Sequence, residues 1–240
     1  MKKENYLNIN KKFWDRKYFA PNVEGFIFRL KPKLLDYHIP SKKKLTVLDY
    51  GCGEGSNINY FIKNYKYDGY GVDISNSSIE VCKKKINKKK FKIIDSNVDE
   101  NDNFFNVKFD LIISIQVLYY LNNKDLEKRL LSLNNMLKPG GYVFFTMMST
   151  KYHYFRYFSN KKIYSDGMTL VNLSKDTMYK KRQKQKIYYH YINFCRNEKD
   201  LKKKFKIFKP LSVGYYDVSL EGTDFSAHHF TFFGKKRNNK

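Results

Sequence analysis

The chain has 240 residues, with 47 Lys and Arg against 23 Asp and Glu, for a formal net charge of +24. That length suits one full domain with a sizeable core and a smaller appendage. The longest apolar run, residues 111–121, is too short for the ~20 residues of a membrane-spanning helix. The basic start is followed by no apolar stretch, so no secretory signal is expected.

The charge raises nucleic acid as a partner. However, 40 of the cations are lysines and only seven are arginines, whereas phosphate readers lean on the bidentate fork of Arg. An acidic small molecule, or simply a solvated surface, is the plainer explanation. Cys52, Cys82 and Cys195 are widely spaced, with no CxxC and no His at metal spacing. Neither a metal nor a structural disulfide is expected, and the setting reads as cytoplasmic.

In chain order, residues 1–44 are polar and aromatic, with Phe13, Trp14, Tyr18 and Phe19 spaced as on one helix face. They are predicted to form a helical lid, from which Arg16 and Arg29 project ahead of the core. A first strand runs from Leu45 to Tyr50, and the glycine-rich turn after it opens a helix near 56–64. A second strand (69–72) ends at Asp73; a helix near 77–86 and a third strand, "FKIID" (91–95), follow. "FDLIISI" (109–115) has the continuous apolar character of a buried central strand.

A helix from about 125 to 137 stops at "KPGG", and "YVFFTMM" (142–148) is the fifth strand. The alternation predicts a parallel sheet with crossover helices. Residues 150–195 interrupt it with a tyrosine- and lysine-rich stretch of no clean period, read as a cap over the acceptor. A helix near 198–204, a strand from Phe205 and the last strand, "HHFTFFGKK", complete the core over 196–240.

"VLDYGCGEGS" places Gly51, Gly53 and Gly55 directly after a strand that carries Asp49. Dinucleotide binders show GxGxxG and seat a pyrophosphate on the helix N-terminus. Here the spacing is GxGxG, and a carboxylate at Asp49 repels a pyrophosphate but pairs with an ammonium group. S-adenosylmethionine carries an ammonium and a sulfonium and no phosphate. Asp73, at the end of the next strand, is placed to accept two ribose hydroxyls.

Glycine loop, strand-end acid, "FDLIIS" and "LKPGG" follow one another in order. Together they make residues 45–148 resemble the core of class I S-adenosylmethionine-dependent methyltransferases. The resemblance implies an α/β, Rossmann-like fold. Its seven-stranded, mostly parallel sheet would have helices on both faces and a reversed last strand, with the small cap inserted after strand five. It also implies roles. Asp49 and the backbone of Gly51, Cys52, Gly53 and Gly55 would hold the methionine end, and Asp73 the ribose. Ile74 would lie against the adenine, whose amine falls to Asn97 with Val98 or to Asp95. Ile115 and Gln116 would lie beneath the methionine moiety. Apart from the resemblance, the aromatics and arginines of the first 44 residues are expected to form the lid, with Trp14 and Arg29 over the cofactor and Arg29 toward its carboxylate.

Methyl transfer is an in-line displacement, so the enzyme chiefly aligns the acceptor and excludes water. A hydroxyl acceptor also needs a base. Enzymes acting on nucleobase amines often carry Asn/Asp-Pro-Pro-Tyr after the fourth strand; here Ser114-Ile115-Gln116-Val117 has no proline. Cytosine C5 methylation needs a cysteine there, and none is present. The cap's tyrosines, with Arg156 and Arg182, suit a small anionic acceptor such as a sugar, nucleotide-sugar or bacterial surface-glycan precursor. His153 is the first candidate base and His228 and His229 the next, with Tyr120 and Asp217 behind them. The rivals are an RNA methyltransferase, favoured by charge, and a cofactor-binding protein without catalysis.

Overall fold

A computed structural model describes residues 8, 11, 34–39, 44–176, 188–219, 223 and 225–237. Trp14, Arg16 and Arg29 of the expected lid, and Arg182 of the expected cap, lie outside the described residues.

Seven strands form one sheet: β1 (Thr46–Tyr50), β2 (Asp68–Asp73), β3 (Phe91–Ile93), β4 (Phe109–Ser114), β5 (Leu137–Met148), β8 (Phe208–Tyr216) and β9 (His229–Lys236). Their order across the sheet is β3-β2-β1-β4-β5-β9-β8. Four neighbouring pairs, from β3 to β5, are parallel. β9 slots between β5 and β8 and runs antiparallel to both. A Rossmann-like, mostly parallel sheet with its last strand reversed is therefore observed. The first half of the order steps outward from β1 and then reverses to β4, leaving a crevice at the carboxyl ends of β1 and β4.

Each face of the sheet buries its own apolar cluster. Val47, Leu111, Ile113, Phe144 and Phe233 pack beneath α1 (Ser56–Tyr65) and α2 (Asn76–Lys85), through Ile58, Phe61, Ile79 and Cys82. Leu48, Ile112, Val143, Phe145 and Phe232 pack beneath α3 (Asn123–Met136) and α4 (Glu198–Lys204), through Leu126, Leu130, Leu133 and Leu201. β4 is buried at all six positions, which is why its sequence shows no alternation. Among the described residues, no helix is long and apolar enough to cross a membrane.

Local chemistry sets the element ends. Asn122 Oδ1 accepts Asp125 N–H at 2.8 Å to cap α3, and Asn197 caps α4 through Asp200 N–H at 2.9 Å. α3 stops at Met136, where the following Lys-Pro pair favours extended backbone. β5 begins at Leu137 rather than at Tyr142, absorbing "KPGG" as an irregularity with Gly140 at φ 71. The expected strand from Phe205 starts three residues later, because Phe205 N–H still closes a helical turn onto Leu201 O at 3.1 Å. β3 ends at Ile93 rather than Asp95, whose side chain instead takes Asn97 N–H in a tight turn.

The described residues between 150 and 195 are less irregular than their sequence suggests. A single π-turn (Tyr154–Phe158) leads to a two-stranded antiparallel sheet of β6 (Thr169–Asn172) and β7 (Tyr189–Ile192). β7 returns to the core through Asn193 N–H on Tyr119 O at 2.7 Å and Cys195 N–H on Met148 O at 2.8 Å.

Candidate functional site

The end of β1 is pinned from two sides. Ser114 Oγ donates to Tyr50 O at 3.0 Å, and the buried Arg129 guanidinium lies 5.0 Å from the Tyr50 ring. Beyond this anchor, Gly51 and Cys52 N–H both donate to Val72 O, at 2.8 and 3.0 Å, so the loop is tied to β2. Gly53 N–H donates to Asp73 Oδ2 at 2.8 Å, and Ser75 N–H donates to Asp73 Oδ1 at 2.8 Å.

The glycines serve different ends. A Cβ on Gly51 (φ 77) would lie 2.3 Å from Val117 Cγ2, so this position exists for the packing of the loop after β4. Gly53 (φ 52) faces open space, with nothing within 4 Å of where its Cβ would stand. Gly55 (φ 80) supplies the left-handed turn into α1. The Cys52 and Cys82 thiols both turn beneath the loop toward Gly53 O, at 3.5 and 3.3 Å. Burial, reinforced by Cys82, pushes the Cys52 thiol well up from its ordinary value. Only the backbone of Cys52 is thus available to the crevice.

Asp49 is 2 % exposed, and its Oδ2 has no hydrogen-bond partner. Burial, with the charge of Asp73 second, raises its carboxyl to about 8. Such an unsatisfied buried carboxyl is costly as a bare anion and calls for a cation beside it. This corrects one step of the sequence argument, which treated Asp49 as charged at rest.

Along the crevice, Ile74 is half-buried, and Asp95 and Asn97 are exposed. Asp95 Oδ1 accepts Asn97 N–H at 2.9 Å, which holds the Asp95 carboxyl below the usual range. Val98 packs against the core. On the β4 side, Ile115 is buried, and Gln116 adopts φ 60, strained for a residue with a side chain. Gln116 N–H donates to Thr146 Oγ1 at 2.8 Å, and its Nε2 donates to Tyr216 OH at 3.1 Å.

Tyr216 opens a cluster of rings at the same edge of the sheet. It stacks on His229 with centroids 5.0 Å apart and planes at 9°, and Tyr119 and Tyr152 close on His229 at 5.8 and 5.2 Å. Tyr120 is half-buried, 4.7 Å from Tyr119. His229 Nδ1 lies 3.0 Å from Ala227 O, so in the neutral ring Nδ1 carries the proton and Nε2 the lone pair. Nε2 is buried without a partner, and burial lowers the ring to about 4.

His153 is fixed in the same way, with Nδ1 3.0 Å from Ser226 O, and is half-buried beside Tyr152, Tyr154 and Phe225. Burial again lowers its ring. His228 stacks on Tyr215 at 4.9 Å, away from the Tyr216–His229 pair, because neighbours along a strand point to opposite faces. Asp217 accepts Ser226 Oγ–H with both oxygens, at 2.9 and 3.0 Å. Tyr119, Thr146 and Tyr216 were missed from sequence; only the pairing of "GYY" with "HHF" across β8 and β9 would have singled out Tyr216. Asp110, in the central motif, sits at the opposite end of the sheet, where it accepts Thr46 N–H and Lys138 Nζ–H.

An open, mostly parallel sheet with a reversed β9 between β5 and β8, a bare GxGxG loop and a strand-end acid fits the methyltransferase class of α/β folds. Residues 19–202 match the family described as methyltransferase domain. The chain therefore belongs to that family, on the class I S-adenosylmethionine-dependent methyltransferase fold. It is 29 % identical over 166 residues to an uncharacterised protein of Rickettsia prowazekii, covering 67 % of this chain and 64 % of that one. It is 29 % identical over 143 residues to a protein of Invertebrate iridescent virus 6, covering 58 % of this chain and 51 % of that one. The chain thus spans between half and two thirds of these relatives. A solved structure of an S-adenosylmethionine-dependent methyltransferase from Anabaena variabilis aligns over 97 % of this chain and 96 % of its own, with a TM-score of 0.64 and 17 % identity.

Proposed function

We propose that the protein binds S-adenosylmethionine at the 49–55 loop and transfers its methyl group to a hydroxyl of a small polar or anionic acceptor. The observation that carries the cofactor half is the buried, unpartnered Asp49 Oδ2 near the end of β1, from which the chain enters the glycine loop. An ammonium group satisfies that oxygen; a pyrophosphate does not. Asp73 would take the ribose hydroxyls with its carboxylate, which two backbone N–H bonds hold at the end of β2. Ile74 would face the adenine, and Asp95 or Asn97 with Val98 its amine. Ile115 and Gln116 would lie beneath the methionine moiety, with Trp14 and Arg29 closing over it from the N-terminal segment.

When bound, the cofactor supplies a methyl carbon made electrophilic by its sulfonium. The chain's part is to orient the acceptor, exclude water and remove one proton. His229 Nε2, with its tautomer set by Ala227 O, is the atom we assign to that proton. Tyr152 and Tyr216 would wall the acceptor, with the buried Tyr119 behind them, and such rings suit the apolar face of a sugar. Lys151 and Arg156, in the segment after β5, would favour an anionic group on it. We place the reaction in the cytoplasm and retain a sugar, nucleotide-sugar or surface-glycan precursor as the acceptor class.

The test is methyl transfer from labelled S-adenosylmethionine to a pool of sugar metabolites and, separately, to RNA. The expected result is a mass gain of one methyl group on a member of the first pool. Label in RNA alone would replace the acceptor assignment, and no transfer with intact cofactor binding would leave a binding protein.

A further inference from the structure

Away from the glycine loop, α3, α4 and residues 163–167 enclose a half-open cavity of about 690 Å³. None of Asp49, Gly53, Asp73, Gln116 or His229 lines it. The volume falls in the range of sites that bury small organic ligands, ~300–1,000 Å³. The apolar part of its lining is Leu126, Leu130 and Leu131 from α3 with Ile163, Phe194 and Ile207, and the rest is polar or charged. Ile163 stands exposed at the mouth.

Lys204 places a cation within this lining. Its Nζ donates to Asn193 Oδ1 at 2.7 Å and to Asn123 Oδ1 at 3.4 Å. No carboxylate of the described residues lies within ion-pair distance, and a third N–H remains available. Burial holds its pKa below the ordinary lysine value, a sign that its charge is under-compensated. Of the two acids in the lining, Asp200 favours the Lys204 charge from beyond ion-pair distance. Its Oδ2 takes Arg196 N–H at 2.9 Å and lies 3.7 Å from Arg196 Nε, and Glu127 is paired with Lys206 at 3.7 Å. With Lys203 at the rim, four cations face two carboxylates.

We infer that this cavity binds an amphipathic organic anion, with its carboxylate or sulfonate head on Lys204 and its apolar body between α3 and Phe194. The inference stands independently of the methyl acceptor, because the two sites share none of the residues named above.

Fluorescence titration of the full chain with anilinonaphthalene sulfonate, and with uncharged phenylnaphthylamine as its control, tests it. The sulfonate is expected to bind saturably at one site, tighter than the neutral compound, and to be unaffected by saturating S-adenosylhomocysteine. Lys204→Met should weaken binding by about tenfold or more, the scale of a lost charge-assisted hydrogen bond, and Lys204→Arg should restore most of it. Because Asn193 also bonds Leu121 O, Lys204→Met carries a folding risk. Ile163→Trp blocks the mouth while removing no hydrogen bond, and it should abolish the signal in a protein of parental melting temperature. Unchanged affinity in Ile163→Trp, equal binding of the neutral compound, or displacement by S-adenosylhomocysteine would each overturn the assignment.

Discussion

Gly53 and Asp73 are joined by a 2.8 Å hydrogen bond from the loop N–H to carboxylate Oδ2, so the bare backbone and the strand-end acid form one rigid unit. Ser75 N–H fixes the other oxygen. Any ligand lying on Gly53 therefore meets a carboxylate that needs no reorganisation. Replacing Asp73 with Ala should weaken S-adenosylhomocysteine binding by ~1–3 kcal/mol, the scale for leaving polar partners unsatisfied. Calorimetry is the measurement; parental affinity in the variant would remove Asp73 from the site.

With Asp49 facing the ammonium group as we propose, cofactor binding is expected to depend on pH. Raised to about 8, the Asp49 carboxyl is neutral at pH 7 in the free protein and must lose a proton when an ammonium group arrives. Affinity should rise with pH up to about 8 and then level off, and calorimetry in buffers of different ionisation enthalpy should show proton release at pH 7. The stability of the free protein runs the other way. The native state binds more protons than the unfolded state between about 4 and 8, so stability falls as pH rises through that window. Asp49→Asn should flatten both profiles. A wild-type affinity independent of pH from 6 to 9 would refute the coupling.

The sheet could be read from the chain because its signals are local. A buried strand such as 109–114, a glycine turn and an N-capping Asn each act within a few residues. The places of Asp49 near the end of β1 and Asp73 at the end of β2 were legible for the same reason. The protonation state of Asp49 was not, since it depends on burial by distant segments. The Tyr216–His229 stack and the Gln116–Tyr216 hydrogen bond arise from the register of β8, β9 and β4, which no local pattern encodes. The β6–β7 hairpin was hidden because its strands are four residues long, too short for a period to show.

Gly51 and Gly53 should fail differently when changed to Ala. Both sit at positive φ, so each substitution carries about 1–2 kcal/mol of left-handed strain. At Gly51 the new methyl also collides with the Val117 side chain, and the melting temperature should drop well below that of Gly53→Ala. At Gly53 there is room for the methyl, but it projects into the space we assign to the cofactor, so S-adenosylhomocysteine affinity should fall with little extra loss of stability. Thermal melts and calorimetry on both variants check this; equal melting temperatures would contradict the packing role of Gly51.

His229 is the base we assign to the acceptor's proton. From composition alone, a histidine base predicts that turnover falls as pH drops through ~6.5. Burial lowers His229 to about 4, so its lone pair persists across the neutral range, and turnover should stay level down to about pH 5 as far as this group is concerned. Its folded pKa lies below the unfolded value, so its contribution to stability is present above ~6.5 and lost as pH falls through about 4. Once an acceptor is known, His229→Gln should slow turnover by ~10²–10⁴, the range for a positioned general base, while cofactor affinity stays parental. His228→Ala should leave turnover near parental, since that ring stacks on Tyr215 on the other side of the strand. If His229→Gln keeps the parental rate and His153→Ala does not, the proton goes to His153; if neither changes it, positioning alone carries the reaction.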